Sequence, residues 1–331
     1  MAATSSYTDA VNEALQRLQG VGYEFGPSFV NHAPMAAEAL AYLGYSDIVA
    51  SWTDRVIRSR GFHDPPDSRY RLAGDDRGGW EAALGDFSRV ADWSAMFERE
   101  LAEEPWADVL HRWWPRLIPG MAGVLGHGVI RTAHAVRALV LASGRGDELQ
   151  RSELAHGLGY WAARYRAGAD AASRQPLTDP GSGTTGTGTT GPQGERAATL
   201  QALDELIAES ATFYARTPQS FPVPLIHTIT APAAVRLICH YLPDLQCWSS
   251  YLAARRFSDA LRTRFSSGSP VSEGEIPVPP ILDLVGAAVE LGDEHAIKLA
   301  EVAIRQYALT GDESCLSASA VATRLIGRFP V

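Results

Sequence analysis

The 331-residue sequence predicts an all-α fold, organised as a single large multi-helix domain. Apolar residues recur with helical spacing over most of the chain, and the alternating, β-branched patterns typical of strands are nearly absent. Helix-start chemistry recurs as well. Asn31 precedes "HAPMAAEAL", and Thr230 precedes "APAAVRLICHYL", which carries Pro232 in its first turn. Together these features favour helices packed on helices.

The periodicity identifies eleven helical segments, each amphipathic or apolar throughout. In chain order they are residues 8–19, 34–44, 105–117, 121–142, 150–168, 195–213, 231–242, 247–265, 280–291, 293–309 and 314–327. This pattern is the basis for the fold-class prediction.

The stretch 176–194, "PLTDPGSGTTGTGTTGPQG", has a low-complexity composition that predicts a disordered, mobile loop. Within it, Gly186, Gly188 and Gly191 match the dinucleotide-binding pattern G-x-G-x-x-G. No strand precedes the pattern, so we reject that interpretation. Because the histidine motifs described below lie on both sides of this loop, one domain over 1–331 with an insertion fits better than two domains.

Composition excludes several classes of partner. The net charge is −9, the pI is near 5.5, and no basic run occurs, which argues against nucleic acid or an anionic membrane. The N-terminus lacks a signal-peptide pattern, and no apolar run approaches the roughly 20 residues of a membrane span. Three cysteines, Cys239, Cys247 and Cys315, follow no paired metal spacing. These features predict a soluble, cytoplasmic protein.

Lys298 is the only lysine among 29 basic residues. Glu294 and Glu301 lie four residues before it and three after it, the spacing of a surface ion pair. A helical wheel places Lys298 on a polar stripe that faces either water or a polar cavity. A buried lysine, unlike arginine, can lose its proton and take up carbon dioxide to become an anionic metal ligand. The wheel favours the surface, whereas the lysine's uniqueness favours the cavity.

Four histidines lie at or near the start of apolar helical segments, and imidazole is the commonest metal ligand. They occur in "SFVNHAPMAAEALAYLG" (His32), "GVLGHGVIRTAHAVRAL" (His127), "PLIHTITAPAAVRLICHYLP" (His227) and "GDEHAIKLAEV" (His295). A single histidine of this kind is more often structural. Four in similar settings indicate a shared site.

Spacing separates candidate ligands from neighbours. His127 and His134 are seven residues apart, which is roughly 10.5 Å along a helix, too far for one ion. His127 is therefore the predicted ligand, and His134 is predicted to line the same cavity. His295 and Lys298 are three residues apart and can converge on one centre.

Four motifs, "NHAPMAAEAL", "HGVIRTAHAVRAL", "HTITAPAAVRLICHYL" and "DEHAIK", run in that order over about 32–308 and resemble the questin oxidase-like family. That family includes fungal enzymes of anthraquinone and aflatoxin-type polyketide pathways. The resemblance implies oxygen-dependent opening of an aromatic polyketide ring, formally of Baeyer–Villiger type. It also implies, for some members, a non-heme iron held by four histidines and a carboxylated lysine. Carried over, the metal ligands are His32, His127, His227, His295 and Lys298, with His134 or His240 as alternatives to His295.

This chemistry assigns further roles. Fe(II) would use dioxygen as co-substrate, and one anionic oxygen ligand would offset the charge of the oxidised iron. The expected substrate is a small aromatic polyketide in its hydroquinone or anthrol form, stacked on Trp113 or Trp114. Arg131 would stabilise a phenolate or peroxide, and His134 would accept the phenolic proton; structural roles for both stay open. NADPH would act indirectly, by reducing the substrate beforehand.

Two other functions fit the same residues. A metal-dependent hydrolase with a carbamylated lysine would use Zn²⁺ to activate water. A non-catalytic helical binding protein would keep the histidines as structural residues and bind no metal.

Overall fold

The computed structural model describes residues 6–142, 147–167, 196–219, 221–266 and 277–328. Within these ranges the chain forms fourteen α-helices and two strands of two residues each. The predicted all-α fold is therefore confirmed. The predicted loop at 176–194 lies outside the described residues, and the domain boundaries 1–331 stay a prediction.

The helices have the following bounds: α1 Tyr7–Arg17, α2 Ala33–Tyr42, α3 Val49–Ser59, α4 Arg77–Ala83, α5 Val90–Glu103, α6 Trp106–Leu117, α7 His127–Leu141, α8 Glu148–Ala163, α9 Arg196–Arg216, α10 Pro222–Ile238, α11 Asp244–Phe265, α12 Ile281–Leu291, α13 Glu294–Thr310 and α14 Ser314–Ile326. Strands β1 (Glu24–Phe25) and β2 (Phe29–Val30) form an antiparallel hairpin. This hairpin leads directly into α2.

Three helices, α3, α4 and α5, are absent from the sequence prediction. Helix α5 buries Val90, Trp93, Phe97 and Leu101, which recur at spacings of three and four residues. The helical periodicity of α5 is therefore present in the sequence. Helix α4 is short and contains two glycines, which weaken any helical signal.

Helix α10 begins at Pro222, so the predicted start near residue 231 is wrong. Pro222 occupies the first turn, where a missing N–H costs nothing. Pro232 lies inside the helix and leaves the Thr228 carbonyl without its helical N–H donor. The Ser258 hydroxyl of α11 donates to that carbonyl at 3.4 Å, which compensates for the loss.

The segment Pro222–Tyr241 is also long and apolar enough to cross a membrane, contrary to the sequence prediction that no run approaches that length. In the fold, 83% of its apolar window is buried inside the protein. That burial is typical of a core helix.

Helices α2, α7, α10 and α13 form a ring at the centre of the molecule. Helix α2 packs on α7 and on α13, and α10 packs on the same two helices. Three apolar clusters surround this ring. They are built mainly from α5–α8 on one side, from α9, α12 and α14 on another, and from α1 and α3 on the third. The ring thus brings the starts of four helices to the interior.

Trp113 and Trp114 are fully buried in the first apolar cluster, so they form no substrate wall. The Trp113 indole donates to Glu100 at 2.7 Å, and the Trp114 indole donates to Ser250 at 2.8 Å. Both rings also make edge contacts with other buried aromatic side chains. Their role is therefore core packing.

The structure joins Cys239 and Cys247 in a disulfide, with their Cα atoms 5.1 Å apart, and Cys315 is free and buried. The sequence prediction treated the cysteines as typical of a reducing compartment. Disulfides are rare in cytoplasmic proteins. The predicted cytoplasmic localisation therefore stays a prediction.

Candidate metal centre

The four predicted histidine ligands meet inside the ring of helices. His32 lies at the N-terminal end of α2, His127 begins α7, His227 lies in the second turn of α10, and His295 lies in the first turn of α13. Their rings form a closed cycle, with centroid separations of 4.6 Å (His32–His127), 4.5 Å (His127–His227), 5.6 Å (His227–His295) and 4.5 Å (His32–His295). All four side chains are buried. Residues from four distant parts of the sequence thus face one small volume.

The nitrogen atoms are spaced as ligands of one ion would be. His127 Nε2 lies 2.7 Å from His32 Nε2 and 3.1 Å from His227 Nε2. Two imidazoles that bind one metal at about 2.1 Å, at right angles, place their nitrogens roughly 3 Å apart. One ligand atom from each of His32, His127 and His295 also lies within 4.8 Å of the others. His227 lies outside this group of three, although its Nε2 is close to that of His127.

The outer nitrogens fix the tautomers. His127 Nδ1 contacts the carbonyl of Val124, and His227 Nδ1 lies 3.1 Å from the carbonyl of Val223. A carbonyl only accepts, so both Nδ1 atoms must carry the proton and donate it. Each Nε2 then presents a lone pair to the interior, which is the usual arrangement of metal-binding histidines.

These lone pairs face one another with no proton between them. Burial lowers the pKa of His32, His127 and His227 well below the usual range, so the rings are neutral at physiological pH. The nearby charge of Lys298 lowers all three pKa values further. Two lone pairs at 3.1 Å repel unless a cation lies between them. This site therefore fits a metal ion better than a structural hydrogen-bond network.

A strained turn positions His127. Val124, Leu125 and Gly126 have positive φ angles of 42°, 58° and 81°. Positive φ is unfavourable for a β-branched residue such as valine. The turn aims the Val124 carbonyl back at the His127 ring. The sequence predicts one helix over 121–142. The left-handed turn interrupts this segment, so α7 begins only at His127.

Acidic residues at the start of α13 lie close to two further histidines. Asp293 caps the helix by accepting from the backbone N–H of His295 at 2.8 Å. The Glu294 carboxylate lies 3.4 Å from His32 Nδ1 and accepts from Arg60 at 3.2 Å. Sequence reasoning treated Glu294 as a surface partner of Lys298. The pair of acids before His295 in "DEH" was the available signal for this role.

Lys298 is 1% exposed, so the surface interpretation of its polar stripe is wrong, and the alternative of a buried position is confirmed. Its Nζ has no hydrogen-bond partner and no salt bridge in the described part of the chain. Burial lowers the pKa of Lys298 to about 8, although Glu294 and Asp293 act in the opposite direction. The residue thus supplies a buried amine, readily deprotonated, close to three neutral imidazoles.

The other predicted site residues lie elsewhere. His134 Nδ1 donates to Glu38 at 2.6 Å within a separate buried ionic network. His240 is exposed and contacts Arg236 at 2.8 Å. Arg131 forms a two-pronged ion pair with Glu153, at 2.6 and 2.7 Å. No local sequence signal linked Arg131 to Glu153, which lies on α8.

Comparison of the sequence with protein-family models finds no match, and a search of curated proteins finds none either.

Proposed function

We propose that this chain is a non-heme iron oxygenase, with His32, His127, His227, His295 and carboxylated Lys298 as the metal ligands. The observation that carries the proposal is the pair of buried, neutral imidazoles, His127 and His227, whose Nε2 lone pairs face each other at 3.1 Å beside two further buried histidines and an unpartnered lysine. Such a set fits a cation and has no evident structural purpose without one.

The number of donors favours iron over zinc. Catalytic zinc sites use three protein ligands and keep a fourth position for water. Four histidines would fill a tetrahedral zinc site and leave no position for chemistry. In a six-coordinate site, four imidazoles and one carbamate leave one position open, and imidazole ligands suit iron. Iron held there would supply the electrons needed to activate dioxygen.

Several residues of the chain already hold the proposed ligand groups in the tautomer or protonation state that metal binding requires. The carbonyls of Val124 and Val223 hold two rings in the ligand tautomer. Glu294 places a carboxylate 3.4 Å from His32 Nδ1, although the two atoms are not hydrogen-bonded. Burial of Lys298 favours its neutral amine, the form that reacts with carbon dioxide.

The substrate part of the proposal comes from the resemblance to the questin oxidase-like family. The substrate would be the hydroquinone or anthrol form of a polycyclic aromatic polyketide, and the reaction would open or oxygenate one ring. NADPH would act before the oxygenase step.

Metal analysis tests this function directly. Protein purified without chelator should contain about one iron per chain. His227→Ala should lose most of it, because an aligned ligand is removed. His240→Ala is the matched control, since this histidine follows α10 but lies outside the centre. Iron-loaded protein should consume oxygen when supplied with reduced 1,8-dihydroxyanthraquinone.

The alternatives give different results. Stoichiometric zinc without oxygen uptake would support the carbamylated-lysine hydrolase. Absence of any metal, with His227→Ala as stable as the parent, would support a non-catalytic binding protein. Unchanged iron content in His227→Ala would overturn the assignment of the centre.

A further inference from the structure

A cavity of about 310 Å³ lies between α1, α5, α7 and α8. That volume lies at the lower end of the range for small-molecule sites, roughly 300–1,000 Å³. Exposed residues Gln19, Gly20 and Pro65 surround its mouth, and buried residues such as Asn31 and Arg131 form its floor. The cavity therefore leads from the surface toward the interior.

Two residues of the cavity floor are close in sequence to histidines of the candidate metal centre. Asn31 directly precedes His32, and Arg131 follows His127 by one turn on the same face of α7. A ligand that reached the floor would thus lie against the two backbone segments that carry these histidines.

The floor offers both donors and acceptors. Arg131 uses Nε and Nη2 to bind Glu153, and its Nη1 makes no hydrogen bond to any described residue. The hydroxyls of Tyr23 and Ser94 lie 2.8 Å apart. Only one of their two protons is used in that contact, so the other is available to a ligand. Burial raises the pKa of Tyr23, which keeps its phenol protonated.

The charge of the lining is unfavourable for anions. Arg131 is neutralised by Glu153, and Glu98 adds a second carboxylate at 3.7 Å from His156. Burial, followed by the nearby charge of Arg131, lowers the pKa of His156, so this ring is uncharged at neutral pH. The titratable groups of the lining therefore carry a net negative charge. Apolar side chains supply about half of the lining, with Leu15, Leu18, Val21, Ala91, Ala95 and Leu149 among them.

We propose that this cavity binds an uncharged ligand with an apolar ring body and a hydroxyl group, and that it excludes carboxylates. The proposal rests on the proposed function only in treating this ligand as the substrate of the oxygenase. It also changes the role expected of Arg131. The guanidinium orients a neutral hydroxyl through Nη1, because its charge is already balanced by Glu153.

The physical reason is that a hydroxyl and a carboxylate differ in what they offer. A phenol accepts from Arg131 and donates to the Glu153 carboxylate, so both partners are satisfied. A carboxylate only accepts, and it would bring a third negative charge near Glu153 and Glu98. Transfer of an unpaired anion from water to such a site is costly.

Two probes of the same shape test this selectivity: 2-naphthol, uncharged at neutral pH, and 2-naphthoate, an anion. Equilibrium dialysis against the purified full-length protein should show naphthol binding about tenfold tighter or more. Ala95→Trp fills the cavity from α5 and should abolish naphthol binding. Ala102→Trp, at an exposed position of the same helix, should leave it unchanged.

A charge substitution tests the mechanism. Glu153→Gln frees Arg131, so the preference should shift toward naphthoate by about tenfold or more. Glu148→Gln, at an exposed position of α8, should keep the original preference. If Glu153→Gln fails to fold, the Ala95→Trp and Ala102→Trp pair still decides whether this cavity is the site.

Equal binding of the two probes to the parent protein would overturn the proposal, as would naphthol binding that survives Ala95→Trp. Iron analysis of the parent protein, carried out beside the same titrations, separates the two proposals. Preserved naphthol selectivity in a parent protein that binds no iron would count against the oxygenase alone. Lost selectivity in iron-replete protein counts against the cavity alone.

Discussion

At the scale of single residues, Lys298 is the clearest case of a side chain whose chemistry depends on burial. An ammonium group without a partner is unfavourable in the interior. Burial lowers the pKa of this amine to about 8, so a substantial neutral fraction is present near physiological pH. The neutral amine is the form that carbon dioxide modifies. A lysine here, and arginine at every other basic position, is consistent with that requirement.

The substitution Lys298→Met tests the carbamate. Methionine has a similar length but cannot form an anionic ligand, so we expect iron content and oxygen uptake to fall severalfold. The melting temperature should not fall, because an unpaired polar group is replaced by an apolar one. Elemental analysis and thermal unfolding measure the two effects. Lys298→Met that retains full iron would exclude the carbamate.

Lys298→Arg serves as the charged counterpart. Arginine stays protonated and would place a fixed cation beside three neutral histidines. We expect loss of iron together with a loss of about 3 kcal/mol in the free energy of unfolding, measured by denaturant titration. A stable, iron-containing Lys298→Arg would show that iron binding needs no carbamate at this position.

At the scale of elements, the turn before α7 determines where His127 points. Three consecutive residues adopt left-handed backbone, and only the last of them, Gly126, does so without steric cost. A Cβ on Gly126 would lie 3.1 Å from Ala231 Cβ and 3.2 Å from the Phe257 ring. The turn is therefore held both by its own backbone and by its contact with α10 and α11.

We expect Gly126→Ala to reduce iron content as well as stability. The left-handed backbone costs an alanine about 1 kcal/mol, and the crowding against Ala231 would shift His127. Gly311→Ala is the matched control. Its φ is 72°, close to that of Gly126, but a Cβ there meets no atom within 4 Å. Equal iron loss in both variants would mean that backbone strain alone, rather than displacement of His127, is responsible.

At the scale of the whole molecule, a buried ionic network joins four helices around the centre. Arg137 of α7 binds Glu38 of α2 and Glu301 of α13, and Tyr7 of α1 donates to Glu38 at 2.5 Å. His134 belongs to this network and not to the histidine cluster. The structure therefore supports a structural role for His134, and its role as a general base stays a prediction.

This network predicts sensitivity to acid. Arg137 lowers the pKa of Glu38, and it lowers the pKa of Glu301 to about 2, although burial of each carboxyl acts in the opposite direction. A carboxyl with a lowered pKa stabilises the fold above its unfolded pKa, and that contribution is lost as the pH falls toward the folded value. The free energy of unfolding should therefore decrease as the pH drops from about 5 toward 2.

Glu38→Gln should flatten this acid dependence and cost about 3 kcal/mol at neutral pH, because Arg137 loses a buried partner. Glu290→Gln, at an exposed position of α12, should change the free energy of unfolding by less than about 0.5 kcal/mol. Denaturant titrations at several pH values check both expectations. An unchanged acid dependence in Glu38→Gln would show that other carboxyls control acid unfolding.

The linear sequence was sufficient to predict the fold class and the histidines of the candidate site. Helical periodicity is a local property, so most helices were found from spacing alone, and the four histidine-containing helix starts were recognisable in the linear sequence. Helix boundaries set by a turn or a proline do not repeat with helical spacing, so the periodicity did not locate them. The left-handed turn ahead of His127 and the proline inside α10 both displaced a predicted helix start.

Only the tertiary structure decided which polar faces are covered. A helical wheel shows that Lys298 lies on a polar stripe, but water and a buried cluster of imidazoles would give the same stripe. The partner of Arg131 and the packing of Trp113 likewise depend on neighbouring helices, α8 and α5, and not on the helix that carries each residue. Helical periodicity shows which face of a helix is polar. Whether that face is buried depends on the other segments that pack against it, and these segments cannot be identified from the local sequence.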